Sequence, residues 1–198
     1  MSFEQLTAVS SPALSTGAGG GRLVPPLLRP LIGARNGFYA FESCLFVRPW
    51  GGAAGSAEWW NAADWRDPYG EILDGLCCFA EDVYGFQFAV DEEAFYSFDP
   101  ETGELQEMAN SATAWAERIL ADYDELTGYS MGHAWQVSNG PIGAGRRLAP
   151  AIPFVVGGEY SVAALRDKPD LELARFRAHV YEQIRDLPDG AQLRINLM

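Results

Sequence analysis

The chain has 198 residues, 48% of them hydrophobic and 13% aromatic, which is enough for one substantial domain and well outside the composition of a disordered segment. Its formal net charge of −13 argues against binding nucleic acid or an anionic membrane surface, since both require cations. The imbalance is local: Asp67 to Glu117 holds thirteen carboxylates and no Lys, Arg or His, and the rest of the chain carries fourteen acids and fourteen bases.

Residues 1–22 read as a flexible arm. Ser10-Ser11-Pro12 and Ser15 to Gly21 offer little to bury and much backbone entropy to lose. The glycine run lacks the Lys-Ser/Thr of a phosphate loop. Folded structure is expected from residue 23, as a single domain over 23–198. Val24-Pro25-Pro26 opens a short helix with Leu27, Leu28, Leu31 and Ile32 on one stripe, Pro30 near its start and Asn36-Gly37 as its stop. Phe38 to Val47 is a predicted strand. The segment 53–75 carries Trp59, Trp60, Trp65 and Tyr69 and reads as irregular or partly helical.

The acidic block reads as a β-meander with strands Leu76–Ala80, Phe86–Val90, Ala94–Phe98 and Leu105–Ala109. The breaks fall at Tyr84-Gly85, Asp91-Glu92-Glu93 and Asp99 to Gly103, so many carboxylates sit at hairpin turns and are expected to reach solvent. Ala112, Trp115, Ala116, Ile119, Leu120 and Tyr123 then recur at helical spacing, and Gly128 closes that helix. Tyr129–Val137 is a second predicted helix and Phe154–Val156 a strand. Asp170 caps a helix with Leu173, Phe176, Val180, Ile184 and Leu187 on one face. After the turn Pro188-Asp189-Gly190, Ala191 to Leu197 alternates as a strand with one wet face. The order predicts an α+β fold, a largely antiparallel sheet with helices packed on it and a C-terminal helix–strand extension.

Chemistry-bearing patterns are sparse. No apolar run reaches the length of a membrane span, and the N-terminus lacks the basic and apolar regions of a secretory signal. Cys44, Cys77 and Cys78 are too few and too close for a disulfide framework and fit a reducing cytoplasm, with Cys77-Cys78 read as small buried hydrophobes. His133 and His179 belong to no metal-ligand spacing and accompany no nucleophile elbow, so no metal, cofactor or catalytic residue is expected. Glu71/Asp74 and Glu81/Asp82 are the carboxylate pairs that acid–base chemistry would need, although Glu81 and Asp82 would point to opposite faces of a strand. Gly140 to Arg147 reads as a turn whose arginines pair with nearby carboxylates. Glu101-Thr102-Gly103-Glu104 matches a short acidic degron loop but is read as a hairpin tip.

Val24-Pro25-Pro26-Leu27-Leu28, Ala34-Arg35-Asn36-Gly37-Phe38, Phe79-Ala80-Glu81-Asp82, the turn Asp99 to Glu104 and the helix Ser111 to Leu120 with Trp115 resemble, in their order and spacing, the SUKH superfamily. The resemblance covers about residues 23–127 as a core, with 128–198 as an extension similar to a longer bacterial subset. It implies an α+β binding domain without a catalytic centre. Many bacterial members are immunity proteins that neutralise a toxin, and eukaryotic relatives are scaffolds or regulators. The expectation is therefore a cytoplasmic immunity-type protein that occludes a basic toxin domain, with Asp91, Glu92, Glu93, Asp99, Glu101 and Glu104 as the contact region. A regulatory module without a toxin is the alternative, and a carboxylate hydrolase a third reading.

Overall fold

Period-two alternation through the acidic block sets the frame of the molecule. The structure is a computed structural model, and it describes residues 2–16 and 24–188. Six strands form one sheet: β1 (Phe38–Ala40), β2 (Leu45–Val47), β3 (Cys77–Asp82), β4 (Gln87–Val90), β5 (Phe95–Phe98) and β6 (Leu105–Ala109). Their spatial order is their chain order and every neighbouring pair is antiparallel. The fold is thus α+β, and β3 to β6 fall close to the four meander strands read from the sequence. Successive side chains leave a strand on opposite faces, so Phe88 and Val90 enter one core while Ala89 enters another.

The first face is covered by α1 (Ser2–Ala8), α2 (Arg29–Ala34) and α4 (Ala112–Ala121). With the 3-10 turn Pro26–Leu28 that precedes α2, they bring Leu6, Leu28, Leu31, Trp115 and Ile119 onto Phe79, Phe88 and Phe95. Ser111 Oγ accepts the Ala114 N–H and starts α4, whose buried positions Ala112, Trp115, Ala116 and Ile119 are those of the predicted stripe. The second face is covered by α3 (Ala57–Asn61), a 3-10 segment Asp64–Leu73 and α7 (Asp170–Ile184). Here Trp60, Trp65, Tyr69 and Tyr181 pack with Cys78, Ala89 and Phe98. Residues beyond 128 therefore share the core of the meander and do not form a separate layer of their own.

Helix α4 stops at Ala121 and is followed by α5 (Tyr123–Thr127) and α6 (Tyr129–Asn139). Gly128 joins those two at φ +67°, and a Cβ there would lie 2.6 Å from the Tyr84 ring, so only glycine permits this approach. A separate two-stranded sheet, β7 (Arg146–Pro150) with β8 (Leu165–Pro169), closes the end of the fold. Leu148 and Leu165 pack there with Trp135, Cys44 and Val83.

Four expectations are corrected. Residues 2–16 are not a loose arm: Leu6 is fully buried, Ser11 N–H bonds Tyr39 O at 2.7 Å, and Arg35 Nη1 bonds the carbonyls of Thr7 and Ser11. The amphipathic α1 packs Leu6 into the core beside α4, and the segment after it bonds the free edge of β1. The single strand Phe38–Val47 is a hairpin, because Phe41, Glu42 and Ser43 all adopt positive φ. Phe154–Val156 is a 3-10 turn, and the strands are the flanking β7 and β8, whose bases and prolines hid them. Glu81, Asp82 and Glu101 are buried, although carboxylates at hairpin turns were expected in solvent. The predicted turn Pro188-Asp189-Gly190 and strand Ala191–Leu197 lie, but for Pro188, outside the described residues.

Candidate partner-binding site

Strands joined in chain order put alternate connections at the same end of a sheet. The β1–β2, β3–β4 and β5–β6 turns share one end, and the β4–β5 turn lies at the other. What fixes the three-turn end is a set of buried charges. Arg48, Arg147 and Arg177 are all fully buried. Glu81 sits between two of them, 3.0 Å from Arg48 Nη2 and 2.8 Å from Arg147 Nε, and accepts from Gln87 Nε2 at 3.1 Å. Asp170 at the start of α7 also pairs with Arg48 at 3.1 Å, and the Trp60 ring lies 3.5 Å from the Arg48 guanidinium. The network joins strands, α7 and β7. The sequence reading that Arg146 and Arg147 pair with nearby carboxylates holds, with Asp167 and Glu81 as partners.

Burial pushes the Glu81 carboxyl up, but Arg48, Arg147 and the Gln87 hydrogen bond outweigh it and hold the carboxyl below the usual range. Asp82 next door behaves oppositely. Burial dominates there and pushes it up to about 7, against the opposing N–H bonds of Phe86 and Tyr84 and the attraction of Arg177 and Arg147. Its Oδ1 accepts both of those N–H groups at 2.8 Å, which closes the β3–β4 turn.

The β1–β2 turn is strained. Phe41, Glu42 and Ser43 have φ of 51°, 54° and 71°, and left-handed backbone costs roughly 1–2 kcal/mol per non-glycine residue. Surrounding contacts hold it in place: Gln136 Nε2 donates to Glu42 O at 2.9 Å, Arg147 Nη1 to Ser43 O at 3.3 Å, and Tyr123 stacks on Phe41 at 5.3 Å. Strain of this kind is maintained only where neighbours over-determine it, and it gathers at functional surfaces.

At this end a groove of about 300 Å³ runs between α5, the β5–β6 hairpin and Tyr160. Asp82, Asp99, Glu104 and Glu125 line it, with Tyr84, Phe86, Phe88, Phe98 and Tyr160, and no Lys or Arg among the described residues lines it. Asp82 is buried and bound to its own turn, so the charge is offered by Asp99, Glu104 and Glu125. Three carboxylates beside aromatic walls suit a cationic side chain, which gains from the charge and from the ring faces together.

The structure divides the predicted contact set. Asp99 and Glu104 stand in the groove, whereas Asp91, Glu92 and Glu93 form the β4–β5 turn at the opposite end, roughly 13 Å away along four-residue strands. Asp91 is committed to its own turn, accepting from the Glu93 and Ala94 N–H groups at 2.8 Å and from the Tyr96 hydroxyl at 3.0 Å. Asp99 likewise accepts from Glu101 N at 2.7 Å. Glu101 is 2% exposed: Arg177 Nη1 holds one oxygen at 2.6 Å and the Val155 N–H donates to the other at 2.8 Å. It anchors the hairpin to α7 and offers no contact surface, and the degron-like tip loses its first glutamate in the same way. Glu125 and Tyr160 complete the groove and were missed, since the first lies beyond the acidic block and the second in an irregular segment.

The carboxylates of the hydrolase reading do not converge. Glu81 is clamped by arginines, Asp82 caps its turn, and Glu71 and Asp74 are exposed on the 3-10 segment and the turn after it. His133 Nδ1 lies 2.8 Å from Glu42 Oε2. Among the described residues, no group of three or more His, Cys, Asp or Glu gathers to hold a metal ion, and no helix is long and apolar enough to cross a membrane.

No family model and no curated protein matches the chain. Among solved structures, the crystal structure of Atu4351 from Agrobacterium tumefaciens is similar, with a TM-score of 0.57 over 90% of this chain and 88% of that one at 11% identity. At that identity the likeness shows the fold alone, a sheet-and-helix architecture shared across nearly the full length of both chains.

Proposed function

We propose that the protein is a non-enzymatic, SUKH-like binding domain of the immunity type, which captures a basic protein, a toxin domain, at the three-turn end of its sheet. The observation that carries this reading is the groove in which Asp99, Glu104 and Glu125 stand with aromatic walls and, among the described residues, without a lining cation. Its supports are the order of elements that the SUKH resemblance leads one to expect, from the proline-bearing helix through the Asn36-Gly37 turn and the meander to α4 with Trp115. A rigid frame of buried arginine pairs lies beneath the site, so the carboxylates are presented without a large ordering cost on binding. A partner cytoplasmic to the same cell is the natural target of such a module.

The test takes the product of a toxin-like reading frame adjacent to the gene. Its association rate is measured against the wild type and the triple variant Asp99→Lys, Glu104→Lys, Glu125→Lys at low and high salt. Association is expected to slow about tenfold or more and to lose most of its salt dependence in the variant. Unchanged rates and salt dependence in a folded variant reject the groove as the interface.

A further inference from the structure

The two edges of the six-stranded sheet are treated differently. At β1 the outer edge is covered by the chain itself: Ser10 bridges Ala40, Ser11 N–H bonds Tyr39 O, and Leu14 and Ser15 bond the carbonyls of Gly37 and Asn36. At β6 nothing among the described residues pairs with the outer side. Its register shows which groups are left over. Asp99 N–H bonds Glu104 O at 2.9 Å, and the pairs then alternate, so Gln106 faces β5 while Leu105 and Glu107 direct their N–H and C=O outward. Leu105, Gln106 and Glu107 are all exposed.

An open edge of this kind is a template for another strand. A second copy of this chain is a poor occupant, because antiparallel pairing of β6 with itself, centred on Gln106, brings two acidic edges together, with Glu104 and Glu107 of both copies crowded along one seam. The same two residues favour a strand bearing Lys or Arg, one from each face of the sheet. Glu104 and Gln106 also line the acidic groove, so the edge and the groove form one continuous surface.

We infer that β6 accepts an extended, lysine- or arginine-bearing segment of the partner as a seventh strand, with the outward N–H and C=O groups of Leu105 and Glu107 supplying the ladder. This rests on the reading of the site as a receptor for a basic protein, and it adds the backbone mode of recognition. The carboxylates then act as gatekeepers, refusing self-pairing and selecting the charge of the guest.

The experiment uses the full chain with the peptide acetyl-Val-Lys-Val-Val-Lys-Val-amide, whose two lysines leave opposite faces of a strand, as the Lys-Val probe, its Glu-Val counterpart with Glu at both lysine positions, and a Lys-Val version N-methylated at alternate residues. Binding is titrated at low salt, and amide exchange is followed at Leu105 and Glu107. The Lys-Val peptide is expected to slow exchange at those two amides about tenfold or more, the Glu-Val peptide to leave them unchanged, and N-methylation to abolish the effect. Leu105→Pro removes one outward N–H and keeps every carboxylate, so it should abolish protection at the remaining Glu107 amide, whereas Glu104→Gln with Glu107→Gln should weaken binding about tenfold. If the Lys-Val peptide binds the proline variant and its N-methylated form binds the wild type undiminished, the acidic surface stands and strand addition is overturned. If the Lys-Val and Glu-Val peptides bind alike, the charge reading falls with it. Amides of Leu105 and Glu107 that already resist exchange in the free chain would show the edge occupied by the protein itself, which also overturns the inference.

Discussion

Replacing Glu81 with Ala should produce one of the largest stability losses available in this protein. Glu81 is 1% exposed and neutralises two guanidiniums at 3.0 and 2.8 Å. After its removal, Arg48 keeps Asp170 at 3.1 Å, while Arg147 is left with carbonyl oxygens of Ser43 and Arg146 only. Arg48 Nε and Arg147 Nη2 already find no acceptor among the described residues, so no spare group there takes up the loss. Breaking a buried ion pair from one side costs about 3–5 kcal/mol. For a domain of this size that is a fall in Tm of roughly 6–20 °C, at about 2–4 °C per kcal/mol. Chemical denaturation and calorimetry at neutral pH measure it. The Glu81 carboxyl is held below its unfolded value, so its contribution is present above about pH 4.3 and is lost as pH falls through the lower folded value. The acid limb of the wild-type stability curve should therefore flatten in the variant. A loss below about 1 kcal/mol would refute the reasoning, because it would mean that the arginines are not dependent on this carboxylate. Replacing Glu81, Arg48 and Arg147 together by apolar residues of similar volume should recover much of the stability, since desolvation offsets most of what a buried network contributes.

Two further outcomes are expected. Asp82 is raised to about 7 in the folded protein, so between about pH 4 and 7 the folded state holds a proton that the unfolded state has lost, and stability declines as pH rises through that window. Asp82→Asn keeps the acceptor for the Tyr84 and Phe86 N–H groups and should remove that decline, as read by denaturation at a series of pH values; a carboxyl titrating near 4 in the wild type, followed by NMR, would exclude it. Trp115 packs 5.1, 5.7 and 6.2 Å from the rings of Phe79, Phe88 and Phe95, so Trp115→Ala should cost about 3–5 kcal/mol. Its indole N–H has no acceptor among the described residues, so Trp115→Phe should cost markedly less in the same denaturation assay, and equal losses would contradict this packing.

Legibility in the sequence followed the range of the forces involved. The meander strands and the buried stripe of α4 were readable because burial imposes a period of two or 3.6 on neighbouring residues. The Cys77-Cys78 pair sits in an apolar run and is largely buried, as that run suggests, with burial pushing the Cys78 thiol up to about 11. Arg146-Arg147 could be assigned to carboxylate partners by type, though not to Asp167 and Glu81 by number. The contact region was legible only in part: Asp99 and Glu104 stand in the groove, but the charge count could not separate them from Asp91 to Glu93 at the other end of the sheet.

The sequence by itself determined the sign and density of charge in Asp67–Glu117, the α+β class and the placement of turns, since composition, periodicity and turn chemistry are local properties. Tertiary structure alone decided which carboxylates face solvent. Glu81 and Glu101 are drawn inside by Arg48, Arg147 and Arg177, partners that lie 33, 66 and 76 residues away in the chain, and long-range pairing of that kind leaves no periodic trace. The left-handed Phe41-Glu42-Ser43 turn belongs to the same class, because none of the three residue types favours positive φ and only contacts from α5, α6 and β7 hold them there.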